Sequence, residues 1–588
     1  MEEKMITLTI DGQSVTVPEG TTVLKACKAA GINVPTLCYL EGINEIGACR
    51  MCLVEIEGVR GLNTACTFPA SDGMVVRTNT PKLREARKIN LELILSNHKR
   101  ECTSCIRSGN CELQQLCNEL GVDNVRFEGV REEKEIDDLS PSIVRDNNKC
   151  ILCKRCIAVC KKKQGISAIG AINRGFGSSI SAPFEESINN LDCINCGQCI
   201  EACPVGALYE KSNIKDVWDA INDPETIAVV QVAPAVRSAI AEEFGNPIGT
   251  NGKGKMVTAL RRLGFDYVFD TDTAADVTIM EEGNELIERV SNGGKLPLIT
   301  SCCPAWIKEC EMEFPDYVEN LSSCKSPQSM FGALLKNYVI PEKLKLDPAK
   351  VKVISVMPCT AKKFESTREE LSENGMKDVD ISITTRELAR MIKETGIDFN
   401  KLEDGTFDSP LGEATGAAVI FGATGGVAEA AVRTAVATLS DNKIDQVDFT
   451  VLRGEKGVKE FEVKTDKVKL RGVVVSGMLH AKHLLERLRK GDVKYDFIEI
   501  MACRGGCVCG GGQPIVSSQI KSDVNVFDLR SGVLYDIDKK SEFRRSHENP
   551  FVKELYENHY EKPLSHKAHE ELHTTYVNRD RYPKDGLR

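Results

Sequence analysis

The sequence predicts a mosaic chain. A small β-grasp module and cysteine-dense segments fill the first third. A large α/β domain follows, with two lobes of parallel sheet covered by helices. Three observations predict it. The chain has 588 residues, which at about 150 residues per domain suggests roughly four domains. From about Ile214 onward, strand-like runs alternate with helical patterns, as parallel sheets require. Most of the 25 cysteines lie before that point, at short spacings.

Composition narrows the class. Hydrophobic residues make up 41%, enough for real cores, so disorder over most of the chain is excluded. Lys plus Arg is 76 and Asp plus Glu is 86, a net charge of −10. That balance argues against a nucleic-acid binder held by phosphate contacts. No apolar run approaches the ~20 residues of a membrane span. The start, MEEKMITLTIDG, is acidic and β-like rather than a signal peptide. The expected location is the cytoplasm. Thiols stay reduced there, so clustered cysteines point to metal rather than disulfides.

Residues 1–80 form the first expected module. Met5 to Ile10 alternates, Asp11-Gly12 marks a tight turn, and Ser14 to Val17 returns. Thr21 or Thr22 can cap a helix running to about Ala30. Cys38, Cys49, Cys52 and Cys66 follow, spaced C-x10-C-x2-C-x13-C. A close pair flanked by two distant cysteines suits a [2Fe–2S] cluster, and a zinc ribbon is the plain alternative. Cys27 reads as a packed thiol.

Residues 81–125 hold His98, Cys102, Cys105 and Cys111, spaced H-x3-C-x2-C-x5-C. We read them as the ligands of a [4Fe–4S] cluster. An imidazole in place of one thiolate makes a cluster less negative. The bland reading of His98 is a capping or surface histidine. Cys117 reads as a buried thiol. In residues 126–212, Cys150, Cys153, Cys156 and Cys160 run C-x2-C-x2-C-x3-C, and Cys193, Cys196, Cys199 and Cys203 repeat the run before Pro204. In two-cluster ferredoxins the fourth cysteine of each run serves the other cluster. The expected groupings are therefore Cys150, Cys153 and Cys156 with Cys203, and Cys193, Cys196 and Cys199 with Cys160. The charge run Lys161 to Lys163 reads as a solvated face, with docking of an acidic redox partner as the sharper alternative.

Residues 213–525 form the expected α/β domain. Strands are expected at Ile227 to Val232, Val277 to Met280, Leu296 to Thr300, Val351 to Val356, Ala418 to Phe421, Val473 to Ser476 and Phe497 to Met501, with helices such as Leu479 to Arg489 between them. Ligands in such sheets sit beyond the carboxyl ends of strands. Cys302, Cys303, Cys359, Cys503 and Cys507 lie there, so thiolates from three distant loops can converge on one buried cluster. Residues 526–588 form a charged tail holding five of the 8 histidines: His547, His559, His566, His569 and His573. Scattered surface histidines are the plain reading. Phe543, Phe551, Tyr556 and Tyr560 suggest that the tail wraps onto the body.

Three motifs carry a family resemblance: TSCCPAW at Thr300 to Trp306, MPCTAKKFE at Met357 to Glu365, and MACRGGCVCGGGQP at Met501 to Pro514. With the upstream modules they resemble the [FeFe] hydrogenases over nearly the whole chain. The layout is similar to catalytic subunits of multisubunit NAD(P)-linked enzymes and to the monomeric clostridial ones. The resemblance implies an H-cluster: a [4Fe–4S] subcluster on Cys303, Cys359, Cys503 and Cys507, joined through Cys507 to a two-iron centre carrying CO, cyanide and an azadithiolate bridge. It implies that hydrogen is split or made there. It implies a proton route through Cys302, Glu282, Ser322, Glu285 and Arg289. It also implies that Lys362 bonds a cyanide and that Pro234, Ala235, Met357, Pro358, Phe421 and Met501 line the cofactor. One [2Fe–2S] and three accessory [4Fe–4S] clusters, one of them His-ligated, relay the electrons.

Two positions depart from the family pattern. Ala235 stands where many members carry serine, and Cys509 where many carry asparagine or glycine. The chain has no G-x-G-x-x-G between a strand and a helix, so NAD(P) and flavin sites are expected on a partner subunit, with ferredoxin as a further partner. Gly510 to Gly512 are expected to allow close backbone approach to the cluster. Two other functions compete. One is a non-catalytic electron-transfer subunit like that of respiratory complex I, which needs no Cys303/Cys359/Cys503/Cys507 set. The other is a hydrogen sensor or iron–sulfur assembly protein, which tends to lose residues such as Cys302. A self-sufficient ferredoxin-dependent hydrogenase is the variant within the first reading.

Overall fold

A computed structural model describes residues 4–130, 133–373, 375–439, 447–464 and 469–579. At the amino terminus Met5–Ile10 pairs antiparallel with Gln13–Pro18 and parallel with Val75–Arg77. Leu53–Ile56 and Asn63–Thr64 complete a five-stranded mixed sheet. The helix Val23–Ala29 starts at Thr22, whose hydroxyl accepts from the Lys25 amide at 3.4 Å. It buries Val23, Ala26 and Cys27 against Ile6, Leu8 and Ile10.

Two four-stranded sheets build the large domain. In the first, Ile227–Val232 lies parallel between Tyr267–Asp270 and Val351–Met357, and Ile381–Thr384 adds the far edge. Its strands read as nearly continuous apolar runs because helices bury both faces. Val230, Val232, Ile354 and Val356 pack to one side. Val229, Val351 and Val353 pack to the other. The second sheet places Leu298–Ile299, Phe497–Met501 and Lys469–Ser476 in parallel. Its last strand, Val458–Lys464, runs antiparallel as a hairpin partner of Lys469–Ser476. That corrects the expectation of two purely parallel sheets: a short hairpin return covers the outer edge where no crossover helix is available.

Two expected strands are helical. Val277 to Met280 lies inside the helix Asp272–Asn292, and Ala418 to Phe421 lies in the helix Gly416–Val419 and the turn Ile420–Gly422. Both runs are almost wholly buried and mostly apolar, so little polar periodicity shows. Such short runs look alike as strand or helix. No helix among the described residues is long and apolar enough to cross a membrane.

The C-terminal segment folds back as the helices Val526–Lys540, Pro550–Leu555 and His566–Leu572. Phe551, Tyr556 and Tyr560 are buried in the core beside the first sheet. Arg433, fully buried, grips both carboxylate oxygens of Asp538 at 2.8 Å and Glu429 at 2.8 Å. Replacing Arg433 by Met removes the cation these two carboxylates share, while Arg544 still pairs with Asp538 and Arg453 with Glu429, each at 2.6 Å. The expected cost is about 1–3 kcal/mol, read as a lowered thermal midpoint of this domain.

Candidate active site

The carboxyl ends of strands from both sheets face one enclosed cavity. Ile227–Val232 delivers Pro234 and Ala235. Val351–Met357 delivers Met357, Pro358 and Cys359. Leu298–Ile299 leads to Cys302 and Cys303, and Phe497–Met501 to Met501, Cys503 and Cys507. Phe421 closes one wall and Lys362 enters from the side. Apart from the cysteines, the side chains around the cavity are mostly apolar. Every residue expected to hold or line a cofactor here is brought to this wall.

The electrostatics are those of thiols without a cation. Burial, then Cys196, Cys359, Cys303 and Cys507 around it, push the Cys503 thiol well above its ordinary value. Burial with Cys359 and Cys303 does the same to Cys507, and burial with Cys303 lifts Cys359 to about 11. Cys303 is raised chiefly by burial. Four buried thiols that oppose one another's ionisation suit a bound metal centre, whose positive charge reverses that balance. Lys362 adds a cation of its own. Burial opposes its charge, but Glu365 at 2.8 Å overrides that and holds the ammonium above its usual value. Lys362 also donates to Ser326 Oγ at 2.7 Å and to the Cys302 carbonyl at 3.2 Å. The residues present therefore fit a thiolate-held iron centre with anionic ligands.

Backbone packing keeps the cysteine loops close. Gly506 has φ +84°, and a Cβ there would lie 2.6 Å from the Thr424 amide. A Cβ on Gly510 would collide with the Pro358 carbonyl, and one on Gly511 with the Cys196 carbonyl. These glycines let three backbone segments touch. Gly506 and Gly510 also line the cavity. Ala235 is fully buried with its carbonyl accepting from Gln513 at 2.7 Å. Cys509 is largely buried, its thiol lifted to about 11 by burial.

One side of the cavity leads to a chain of polar groups. Burial, then Glu285, raise the Glu282 carboxyl to about 8. Burial, then Glu282, raise the Cys302 thiol well above its usual value. Ser322 donates to Glu285 at 2.8 Å, and Arg289 to the other oxygen of Glu285 at 2.6 Å. Glu282, Glu285 and Arg289 share one stretch of the helix Asp272–Asn292, spaced so that they follow one another toward its outer end.

The other cysteine groups lie in the amino-terminal modules. Cys38, Cys52 and Cys66 are buried and Cys49 half-buried, with Cys52 and Cys66 sulfurs 3.3 Å apart and Cys38 sharing a hydrogen bond with Cys49. Cys150, Cys153, Cys156 and Cys203 line one small cavity. Cys199 lies in the field of Cys196, Cys193 and Cys160. His98 is buried just past the helix Pro81–Ser96, so it is no surface histidine. Cys102, Cys105 and Cys111 follow it, with Cys102 exposed. Cys117 is half-buried. Among the described residues no three His, Cys, Asp or Glu side chains are placed to share a single ion.

Some contacts have no sequence signal. Cys196 lines the main cavity although it belongs to the ferredoxin run. Gln198 donates to Cys503 Sγ at 3.6 Å and to the Cys509 carbonyl at 3.0 Å, and accepts from Lys163 at 3.1 Å. Ser326 and Glu365 orient Lys362. Pairings across 300 residues of chain leave no local pattern to read. The tail histidines correct the surface reading: His573 is buried, and the His559 side chain is 7% exposed, while His566 and His569 are exposed.

Residues 226–511 match the family described as iron-only hydrogenase large subunit, C-terminal domain. Residues 3–81 match the 2Fe-2S iron–sulfur cluster binding domain, and residues 87–126 and 140–209 match iron–sulfur and ferredoxin-like regions of NADH-quinone oxidoreductase subunits. Residues 524–579 match the iron hydrogenase small subunit. The chain is 46% identical to the NADP-reducing hydrogenase subunit HndD of Solidesulfovibrio fructosivorans, over 98% of this chain and 100% of that one. It is 41% identical to iron hydrogenase 1 of Clostridium pasteurianum, over 97% and 100%. The apo [FeFe]-hydrogenase HydA1 of Chlamydomonas reinhardtii superposes on 63% of this chain and 100% of that one, at TM-score 0.56 and 39% identity. With full-length relatives at this identity, the chain belongs to the iron-only, or [FeFe], hydrogenases, and it is an oxidoreductase of that family.

Proposed function

We propose that this chain is the hydrogen-activating subunit of an NADP-linked, electron-bifurcating multisubunit hydrogenase. The observation that carries the reading is full-length similarity to a subunit of an NADP-reducing hydrogenase, combined with amino-terminal modules of the NADH-oxidoreductase kind. An enzyme that works alone on ferredoxin is the second reading, favoured by the 41% identity to iron hydrogenase 1.

Cys303, Cys359, Cys503 and Cys507 would hold the H-cluster. When bound, that group supplies an iron site at which H2 ⇌ 2H⁺ + 2e⁻ proceeds. Pro234, Ala235, Met357, Pro358, Phe421 and Met501 keep the wall dry, which strengthens every charge inside. Lys362, fixed by Glu365 and Ser326, presents an ammonium to anionic ligands. Cys302 holds the first proton, protonated at neutral pH. Glu282 passes it on, Ser322 bridges, and Glu285 delivers it beside Arg289 at the helix's outer turn.

Electrons would travel the other way. Cys196 borders both the cavity and the ferredoxin run, so the cluster on Cys193, Cys196, Cys199 and Cys160 is the nearest relay. The cluster on Cys150, Cys153, Cys156 and Cys203 is next, with the His98, Cys102, Cys105, Cys111 and [2Fe–2S] sites as exits toward partners. Cys203→Ser tests the crossed grouping: the expected loss is the cluster on Cys150, Cys153 and Cys156, while Cys160→Ser loses the other, resolved by EPR and iron count.

Anaerobic isolation of the tagged chain from its own host, followed by mass spectrometry of the intact assembly, tests the reading. A co-isolated flavin and NAD(P)-binding subunit is the expected result. A chain that runs alone and reduces only ferredoxin would overturn it.

A further inference from the structure

A buried Glu–His–Ser array joins the C-terminal segment to the back of the proton route. Glu281, fully buried, points away from Glu282, since successive helix residues diverge by about 100°. Its carboxylate accepts from Tyr556 OH at 2.5 Å, from the Leu564 amide at 3.0 Å, and lies 3.1 Å from His573 Nε2. An acceptor-only carboxylate on Nε2 places a hydrogen there. Nδ1, 2.8 Å from Ser323 Oγ, is then free to accept the Ser323 hydroxyl.

Ser323 is where this array meets the route. Its amide lies 3.2 Å from both oxygens of Glu285. The same loop is stitched to the C-terminal segment on either side. Thr574 N donates to the Ser323 carbonyl at 2.8 Å, Lys325 N to the Leu572 carbonyl at 2.9 Å, and Tyr576 OH to the Ser322 carbonyl at 2.7 Å. The titratable groups around His573 and Glu285 are Glu281, Glu282, Tyr556, Tyr576, Cys324, Arg289, His569 and Glu288. Of these, the exposed His569 lies with its ring tilted 39° to that of His573, centroids 4.2 Å apart.

We propose that His573 is a positioning residue for the proton route. Anchored on Glu281, it holds Ser323 so that the Ser323 amide stays aimed at the Glu285 carboxylate. A hydrogen bond from a fixed amide favours and orients a carboxylate, so His573 acts on Glu285, at the outer end of the route, through the Ser323 amide. The segment that matches a hydrogenase small subunit thereby acts on the proton path as well as on packing. This inference rests on the route proposed above.

Three variants of the anaerobic holoenzyme test it: H573F, S323A and the pair together. The readouts are the pH dependence of hydrogen turnover and the pH at which the protonated-carboxyl infrared band of Glu285 titrates, assigned by its loss in E285Q. Each single variant is expected to move both upward by about one unit, a tenfold change in proton affinity. The pair should move no further, since one contact chain is cut in each. S323A removes only a hydroxyl, so it decides the matter if H573F fails to fold. An unmoved profile, a shift in one single variant alone when both fold, or additive shifts would overturn the role. E285Q separates the two layers. Full activity in E285Q sinks the route itself, whereas an inactive E285Q with unmoved H573F and S323A sinks only the part assigned to His573.

Discussion

Cys302→Ser is expected to keep every cluster spectrum and to lose hydrogen turnover by about 10²–10⁴-fold, the usual worth of a positioned proton donor and acceptor. The thiol lines the cavity on one side and lies in the field of Glu282 on the other. Burial keeps it protonated, so it can donate inward or accept from the acid behind it. A serine hydroxyl occupies nearly the same space but is a far weaker acid. The structural role of the position is separable: the Cys302 carbonyl takes the Lys362 hydrogen bond, and the substitution leaves it intact. Near wild-type turnover with intact clusters would show that protons leave by another path.

Glu282→Gln carries the second large effect. Burial and the neighbouring Glu285 raise this carboxyl to about 8. Below that pH it is neutral and can hand on a proton; above it the charged form cannot donate. Turnover is therefore expected to fall along an alkaline limb near pH 8. The amide variant is expected to lose about 10²-fold or more, with no such limb in what remains. Stability follows the same group. Its folded value lies above the ordinary 4.5, so the folded state holds a proton that the unfolded chain releases. The stability this contributes is present below about pH 4.5 and is lost as pH rises through about 8. Thermal scans between those limits should slope downward in the native protein and less so in E282Q.

How much of this was legible in the chain depends on distance along it. Cysteine runs declare themselves because their ligands sit within a few residues of one another, as at Cys150 to Cys160. The strand-end cysteines were legible through topology, since a parallel sheet sends its loops to one edge. The sheets themselves were read only in part. Tyr267–Asp270, Ile381–Thr384 and Val458–Lys464 are short or half-exposed and gave little signal. Ala418 to Phe421 and Val277 to Met280 misled because near-complete burial erases the period that distinguishes helix from strand. Gln198 and Ser326 act through partners 305 and 36 residues away. Nothing local marks them. The tail histidines look the same in sequence whether buried or exposed. Burial against Glu281 and Ser323 separates His573 from the exposed His566.

The fold-back of the last helices sets an order of manufacture. A ribosome releases the chain from its amino end, and domains fold as they emerge. The cysteine modules close partly through local contacts and partly through residues 503–523, as in the pairs Gln198–Cys503 and Glu201–Lys521. The loop 322–325 gains its covering contacts only after residues 572–576 have been made, and contacts of such sequence separation form slowly. A chain cut between residues 523 and 572 would thus keep the partners of the cysteine modules and lose the cover over the loop beside Glu285.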